Sequence, residues 1–122
     1  MAKILVIDDN DMDIEMVEFR LESAGHRVII ADSPLGVSAL VTKEKPDLAL
    51  VDLNMPALRG DNVCKVLRKY GLVESTAIVL HSSEDEEKLA QIAVECGADG
   101  YIQKGATKEI FFKRLEEYLK KP

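Results

Sequence analysis

Five short apolar runs constrain the fold of this sequence more than any other feature. They extend from Ile4 to Ile7, Val28 to Ala31, Leu48 to Val51, Ala77 to Leu80 and Gly100 to Ile102. Each is an almost unbroken apolar block without polar alternation, which is typical of strands covered on both faces in a parallel sheet. The runs begin 24, 20, 29 and 23 residues apart, so each interval has room for one helix and two loops.

The segments between the runs have helical periodicity, which indicates one amphipathic helix after each strand. We expect Ser33 and Pro34 to begin the second helix. We expect Ser83 and Glu86 to form a capping box for the fourth helix, and Thr107 to cap the fifth. The predicted fold class is α/β, a (βα)5 flavodoxin-like doubly wound parallel sheet with strand order 2-1-3-4-5. The apolar stripes are Ile14, Val17, Leu21 and Ala24; Val37, Leu40 and Val41; Val63, Val66, Leu67 and Tyr70; Leu89, Ile92, Ala93 and Cys96; and Phe111, Leu115 and Tyr118.

Length and charge narrow the functional classes. The 122 residues suit one domain spanning 1–122. There are 22 acidic and 16 basic residues and no long basic cluster, which disfavours direct nucleic-acid binding. The apolar run near the N-terminus is too short for a signal peptide or membrane span, so we expect a cytoplasmic protein without a membrane partner. Cys64 and Cys96 lack metal-ligand spacing, and we expect buried thiols.

Polar residues follow four of the five strands. Asp8 and Asp9 follow the first, Asp52 the third, Ser82 the fourth and Lys104 the fifth. In the order 2-1-3-4-5, the first and third strands are neighbours, so the three carboxylates should meet at one edge of the sheet. Crowded carboxylates need a cation, and Mg²⁺ prefers such oxygen ligands. The hydroxyl and the ammonium would complete a pocket for phosphoryl oxygens, with a carboxylate as nucleophile.

With these residues in place, the whole chain resembles the receiver domain of bacterial two-component response regulators. The resemblance implies that Asp52 accepts phosphate from a histidine kinase or a histidine phosphotransfer protein. It also implies that Asp9 binds Mg²⁺ directly, that Asp8 binds it mainly through water, and that Lys104 pairs with the phosphoryl oxygens. Asp52 and the Asn54 backbone carbonyl would be the further metal ligands. The motifs are Asp8-Asp9, Asp52-Leu53-Asn54-Met55-Pro56 with Gly60, Ser82, and Gly97-Ala98-Asp99-Gly100-Tyr101 before Lys104.

The resemblance further implies a switch. The Ser82 hydroxyl would turn toward the new phosphate and the Tyr101 ring would pack inward, although Tyr101 can equally be a core aromatic. The remodelled surface of the fourth helix, fifth strand and fifth helix would then bind a downstream effector protein or a covalent output domain. Asn54 and Glu84 occupy the positions that tune phosphate lifetime, and we expect turnover without a dedicated partner. Beyond this self-phosphorylation and self-dephosphorylation, we expect no enzyme activity.

One departure from the family pattern lies beside Lys104. Gly105 stands where the family usually has a proline preceded by a cis peptide bond, and a cis bond without proline costs about 2.5 to 4 kcal/mol. We therefore expect either a trans bond with the lysine displaced or an unusual cis bond.

Two other functions remain open. A receiver-like scaffold would bind partners without phosphorylation, and the Gly105 substitution alone supports it. A small Mg²⁺-dependent phosphohydrolase of the haloacid-dehalogenase type would use the D-x-D segment that begins at Asp9, but Ser82 and Ser83 stand where its metal-binding acids belong. The nearby acids Asp11 and Asp13 are interpreted as charges of the first helical turn.

Overall fold

The computed structural model describes residues 1–69 and 75–120, in which strands and helices alternate. The strands are β1 (Lys3–Ile7), β2 (Arg27–Ala31), β3 (Leu48–Asp52), β4 (Ala77–Ser82) and β5 (Gly100–Gln103). The helices are α1 (Asp11–Ser23), α2 (Val37–Glu44), α3 (Gly60–Lys69), α4 (Glu86–Cys96) and α5 (Lys108–Leu119). Each predicted strand is present, with ends shifted by at most two residues.

The sheet is parallel and has the order β2-β1-β3-β4-β5. Ile7 of β1 lies opposite Val51 of β3, so the residues that follow these two strands emerge side by side. The predicted fold class and strand order are therefore confirmed. The carboxyl ends of the strands form one edge, and every polar residue singled out after a strand belongs to this edge.

Two apolar layers cover the sheet, one on each face. Successive residues of a strand point to opposite faces, so Leu5 and Ile7 pack with α2, α3 and α4, whereas Ile4 and Val6 pack with α1 and α5. Because both faces are covered, all five residues of β3 are buried. This burial explains why the central runs contain no alternating polar residues.

The predicted helix starts are partly wrong. Helix α2 is capped by Gly36 in a left-handed conformation with φ of 80°, and Ser33 instead accepts a hydrogen bond from the Leu35 N–H at 3.2 Å in a local turn. Helix α4 is capped by Asp85, which accepts from the Lys88 N–H, so the capping box at Ser83 does not form. A hydroxyl and a carboxylate can both cap a helix, and here the carboxylate of Asp85 does so. Thr107 caps α5 as predicted.

Most predicted helix-stripe residues face the core, including Ile14, Val17 and Leu21 of α1. Val66 and Ala24 are more exposed than their periodicity predicts, and Ala24 is the C-cap of α1. Tyr70 lies outside the described residues. Cys64 and Cys96 are buried free thiols, as expected. None of the helices in the described part of the chain has the length and hydropathy that a membrane span requires.

Candidate functional site

Three carboxylates meet where β1 and β3 end. Asp8 and Asp52 are only 2% and 5% exposed, respectively, while Asp9 projects into solvent. One oxygen from each of the three carboxylates lies within 4.8 Å of the others. Two buried strands with adjacent carboxyl ends thus bring together residues that are more than 40 positions apart in sequence.

Lys104 extends from the end of β5 into this acidic group. Its Nζ lies 2.8 Å from Asp13 Oδ2, 2.9 Å from Asp8 Oδ2 and 3.3 Å from Asp52 Oδ1. Its backbone N–H donates to the Ser82 carbonyl at 2.7 Å, which joins this segment to the end of β4. The ammonium therefore bridges α1, β1 and β3.

The expected displacement of Lys104 does not occur. Residues 1–69 and 75–120 contain no cis peptide bond, and Gly105 has φ of 87°. A residue without a Cβ adopts this left-handed conformation without strain, which gives the chain a way to turn after Lys104. Lys104 reaches Asp52 although the peptide bond that follows it is trans, because the carboxylates of Asp8, Asp13 and Asp52 attract its ammonium.

Burial and the neighbouring charges shift the pKa values of Asp52 and Lys104. Burial raises the pKa of Asp52; the positive charge of Lys104 opposes this effect, and the negative charge of Asp8 adds to it. Burial alone would lower the pKa of Lys104, but hydrogen bonds to Asp13 and Asp8 and the charge of Asp52 outweigh it and raise the pKa. Lys104 therefore carries its positive charge at neutral pH, beside a carboxylate whose ionised form is disfavoured by burial.

An open cleft of about 480 Å³ leads from solvent to these side chains. Its walls include Asp9, Asp13, Asp52, Asn54, Ser83 and Lys104. Small anions and hydrated cations can enter such a cleft. Phosphoryl chemistry suits it, since positioning and charge neutralisation are the main requirements of that chemistry.

The donor set at the cleft fits a magnesium ion. Three carboxylates offer hard oxygen ligands, and Mg²⁺ binds one or two carboxylates while keeping several waters. The backbone N–H of Asn54 lies 3.4 Å from Asp52 Oδ1, and Asn54 also lines the cleft. The Asn54 main chain therefore runs beside the predicted ligands.

Ser82 is completely buried at the end of β4, and its Oγ accepts a hydrogen bond from the Glu84 N–H at 3.1 Å. Its neighbour Ser83 is the serine that lines the cleft. In this conformation the Ser82 hydroxyl is therefore hydrogen-bonded to the loop before α4, next to the residue that lines the cleft.

Tyr101 lies between α4 and α5 and also packs against the apolar layer on the α2, α3 and α4 side of the sheet, so both interpretations of this residue stay open. Its hydroxyl is 3.1 Å from Glu86 Oε1, and the Arg114 guanidinium lies 4.7 Å from the centre of its ring. The side chain is half-buried. The ring is therefore held by one hydrogen bond, one cation–π contact and its packing against the core.

The structure adds one residue to the predicted site, and it shows a buried histidine beside that site. Asp13 was interpreted only as a charge of the first turn of α1, yet it makes the shortest of the three ion pairs with the Lys104 ammonium. No local sequence signal marks a contact across 91 residues. His81 packs edge-on against Phe111 with ring centres 6.0 Å apart. Burial lowers the pKa of His81 to about 4, so the imidazole is neutral.

Comparison with known proteins agrees with this geometry. Residues 4–116 match the family model described as "Response regulator receiver domain". The chain is 36% identical over 102 residues to the alkaline phosphatase synthesis transcriptional regulatory protein PhoP of Bacillus subtilis, a match covering 84% of this chain and 42% of PhoP. It is 29% identical to Protein PilH of Pseudomonas aeruginosa, with 98% of both chains covered.

Solved structures show the same likeness. The BeF3-activated N-terminal receiver domain of RstA from Klebsiella pneumoniae has a TM-score of 0.88 and 27% identity, with 98% of this chain and 99% of that chain covered. The present chain spans about half the length of the curated transcriptional regulators it matches, 42% of PhoP and 52% of a second regulator. The sheet is parallel with the order 2-1-3-4-5, its carboxyl edge holds an acidic group with a lysine, and the family match extends over nearly the whole chain. The chain therefore belongs to the response regulator receiver domain family of two-component signalling.

Proposed function

We propose that Asp52 is the phosphoacceptor of this receiver domain, which spans residues 1–122. The observation that carries the proposal is the position of Asp52: a buried carboxylate at the end of a central strand, 3.3 Å from the Lys104 ammonium and open to a cleft. Histidine kinases and downstream effectors are the partners of the family. The phosphodonor of this chain is therefore a phosphohistidine on a histidine kinase or on a histidine phosphotransfer protein.

The chemistry at Asp52 needs no general base. An oxygen of the ionised carboxylate forms the new P–O bond while the P–N bond to the donor histidine breaks, and the imidazole nitrogen keeps the electron pair. Lys104 neutralises charge on the transferred phosphoryl oxygens. His81 takes no part, because its side chain packs against Phe111 on the α5 side of the sheet.

Mg²⁺ would be held by the carboxylates of Asp8, Asp9 and Asp52 and by the backbone carbonyl of Asn54. The bound ion supplies charge neutralisation for a phosphoryl group next to three carboxylates. Without a cation, that group would face the carboxylates with only Lys104 to offset the repulsion. The buried Asp8 keeps its position by accepting a hydrogen bond from the Asn10 N–H at 3.0 Å.

The output is a change of binding surface rather than catalysis of another reaction. Ser82 and Tyr101 form the switch, and the surface of α4, β5 and α5 binds a downstream effector protein or an attached output domain. A cleft of about 450 Å³ beside Tyr101 and Arg114 provides room for a ring that leaves its present contacts. Receiver domains typically signal without turning over other substrates, and we propose the same here.

We also propose a cytoplasmic location without direct nucleic-acid or membrane binding by this domain. Cys64 Sγ lies 3.2 Å from the carbonyl oxygen of Cys96, yet both residues are free thiols. Neighbouring reduced cysteines suit a reducing compartment. The net charge of −6 suits a protein partner better than a phosphate backbone.

The test is adduct formation with Mg²⁺ and either acetyl phosphate or beryllofluoride. Mass spectrometry should show one phosphoryl group on the wild-type chain, and ¹⁹F NMR should show bound beryllofluoride. Asp52→Asn should abolish both signals, and Asp32→Asn, an exposed aspartate that follows β2, should retain both.

Two outcomes would contradict the proposal, and a third would contradict only the expected turnover of the phosphorylated form. If the wild-type chain forms no adduct, the scaffold function is favoured. If it hydrolyses an aryl phosphate over many turnovers and Asp52→Asn retains that activity, the phosphohydrolase is favoured. If the phosphorylated form survives for days, the expectation of unassisted turnover from Asn54 and Glu84 is wrong.

A further inference from the structure

We propose that Asp13 is a positioning residue that competes with the phosphoryl group for Lys104 and so weakens phosphoryl binding at Asp52. The inference rests on the proposed function of Asp52. It concerns a helix residue that belongs neither to the acidic group at the strand ends nor to the motifs of the sequence.

The first step is the set of contacts around the ammonium. Lys104 Nζ lies 2.8 Å from Asp13 and 2.9 Å from Asp8, but 3.3 Å from Asp52. A lysine ammonium has three N–H donors and no more. Asp13 and Asp52 accept hydrogen bonds from this ammonium and Asp8 forms a close ion pair with it, so a phosphoryl oxygen must compete with these carboxylates for Lys104.

The second step is the rigidity of the competitor. Asp13 is the third residue of α1, and its N–H donates to the Asn10 side chain at 3.0 Å, the cap of that helix. Its carboxylate is therefore carried by an ordered helical turn. Among the three partners, Asp8 and Asp52 are buried at the strand ends, whereas the side chain of Asp13 is 32% exposed.

The third step concerns the lysine. Gly105 contributes no side chain, and a Cβ built at this position would meet no atom within 4 Å. The segment after Lys104 is thus not packed against a neighbour on that side. The main chain of Lys104 is joined to β4 by its hydrogen bond to the Ser82 carbonyl, whereas its ammonium is placed by ion pairs, of which Asp13 supplies the one from α1.

These contacts predict the sign of the effect. Asp13 draws the ammonium toward α1 and also places a negative charge beside the cleft. Both effects oppose an incoming anion. Asp13→Asn should therefore bind beryllofluoride more tightly, by about threefold to fivefold, as expected for one partly exposed ion pair.

The experiment compares Asp13→Asn with two matched variants. Asp11→Asn removes the same charge from the same turn of α1, but Asp11 is exposed and does not line the cleft. Asp13→Glu restores a carboxylate that can reach Lys104. The dissociation constant of beryllofluoride is measured by ¹⁹F NMR at fixed Mg²⁺ and pH, and the ammonium signal of Lys104 is recorded by ¹⁵N NMR without metal.

The proposal requires tighter binding and a shifted Lys104 signal for Asp13→Asn alone, with Asp11→Asn and Asp13→Glu close to the wild type. Equal or weaker binding by Asp13→Asn, while the wild type still forms its adduct, overturns this inference and leaves Asp52 as phosphoacceptor. If no variant and no wild-type sample binds beryllofluoride, the proposed function fails as well. A unique loss of folding in Asp13→Asn, seen by thermal unfolding, would make Asp13 a structural residue and also overturn the proposal.

Discussion

Gly60 lies so close to the main chain of Asp52 that a Cβ at position 60 would overlap the Asp52 carbonyl oxygen. The Gly60 N–H also donates to the Leu53 carbonyl at 3.0 Å. The start of α3 is thereby packed directly against the residue that we propose to be phosphorylated. Only glycine permits this approach, because any side chain would push the two backbones apart.

The first prediction is that Gly60→Ala destabilises the protein and impairs adduct formation. The overlap should cost about 1 to 3 kcal/mol in the free energy of unfolding, and the shift of Asp52 should weaken beryllofluoride binding. Urea unfolding and ¹⁹F NMR measure the two effects. The control is Gly25→Ala, which is strained by its φ of 87° but lies in open space; it should lose stability without losing adduct affinity. Unchanged binding by Gly60→Ala would show that this contact does not position Asp52.

The second prediction concerns metal binding in the absence of phosphate. Mg²⁺ should stabilise the fold because it binds the native acidic group and not the unfolded chain, by about 1.4 kcal/mol at tenfold excess over the dissociation constant. Asp9→Asn should reduce this stabilisation, while Asp11→Asn should retain it. Thermal unfolding with and without Mg²⁺ is the measurement. Equal stabilisation of the two variants would exclude Asp9 as a ligand.

The third prediction is a pH dependence that arises from His81. Its pKa is about 4 in the folded protein and about 6.5 when unfolded, so the unfolded chain binds more protons between these values. The free energy of unfolding should therefore fall as pH drops from 6.5 toward 4, with a contribution from His81 of roughly 3 kcal/mol.

His81→Phe isolates that contribution, since the ring would still pack near Phe111. Urea unfolding at several pH values should show a smaller loss of stability on acidification for the variant. The carboxylates titrate in both proteins and cancel in the comparison. Parallel pH profiles would mean that His81 is protonated equally in both states.

The fourth prediction separates the two serines after β4. Ser82→Ala should still form the Asp52 adduct but lose the change at Tyr101, since the buried Ser82 hydroxyl is the proposed link between them. Ser83→Ala should retain the change, although Ser83 lines the cleft. NMR of ¹³C-labelled tyrosine before and after beryllofluoride addition reports the ring of Tyr101. A Tyr101 response in Ser82→Ala equal to that of the wild type would contradict the proposed switch.

The strands and their order could be predicted from the sequence, because strands that are buried on both faces consist almost entirely of apolar residues. A central strand such as Leu48–Asp52 has no polar position until its last residue. The polar residue that follows must lie at the carboxyl edge of the sheet. The meeting of Asp8, Asp9 and Asp52 was predictable for that reason, as an acidic group that could hold a metal ion.

Helix starts were less predictable, because several residues in one loop can cap. Ser83 and Asp85 both have side chains that can accept a hydrogen bond from a backbone N–H, and in the structure Asp85 is the cap. Ser33 likewise forms a turn and leaves the start of α2 to Gly36. The local sequence does not specify how a loop leaves the sheet, and so it does not specify which of these residues caps the helix.

By itself, the sequence determined the layered α/β architecture and the set of charged groups at one edge, because strand burial and the right-handed connection rule act on local patterns. Only the tertiary structure decided which of those charged groups pair with one another. It placed Asp13 on Lys104, held the lysine at Asp52 without a cis bond, and turned Tyr101 toward Glu86 and Arg114. Such contacts join side chains distant in sequence, and their geometry depends on how the helices pack on the finished sheet.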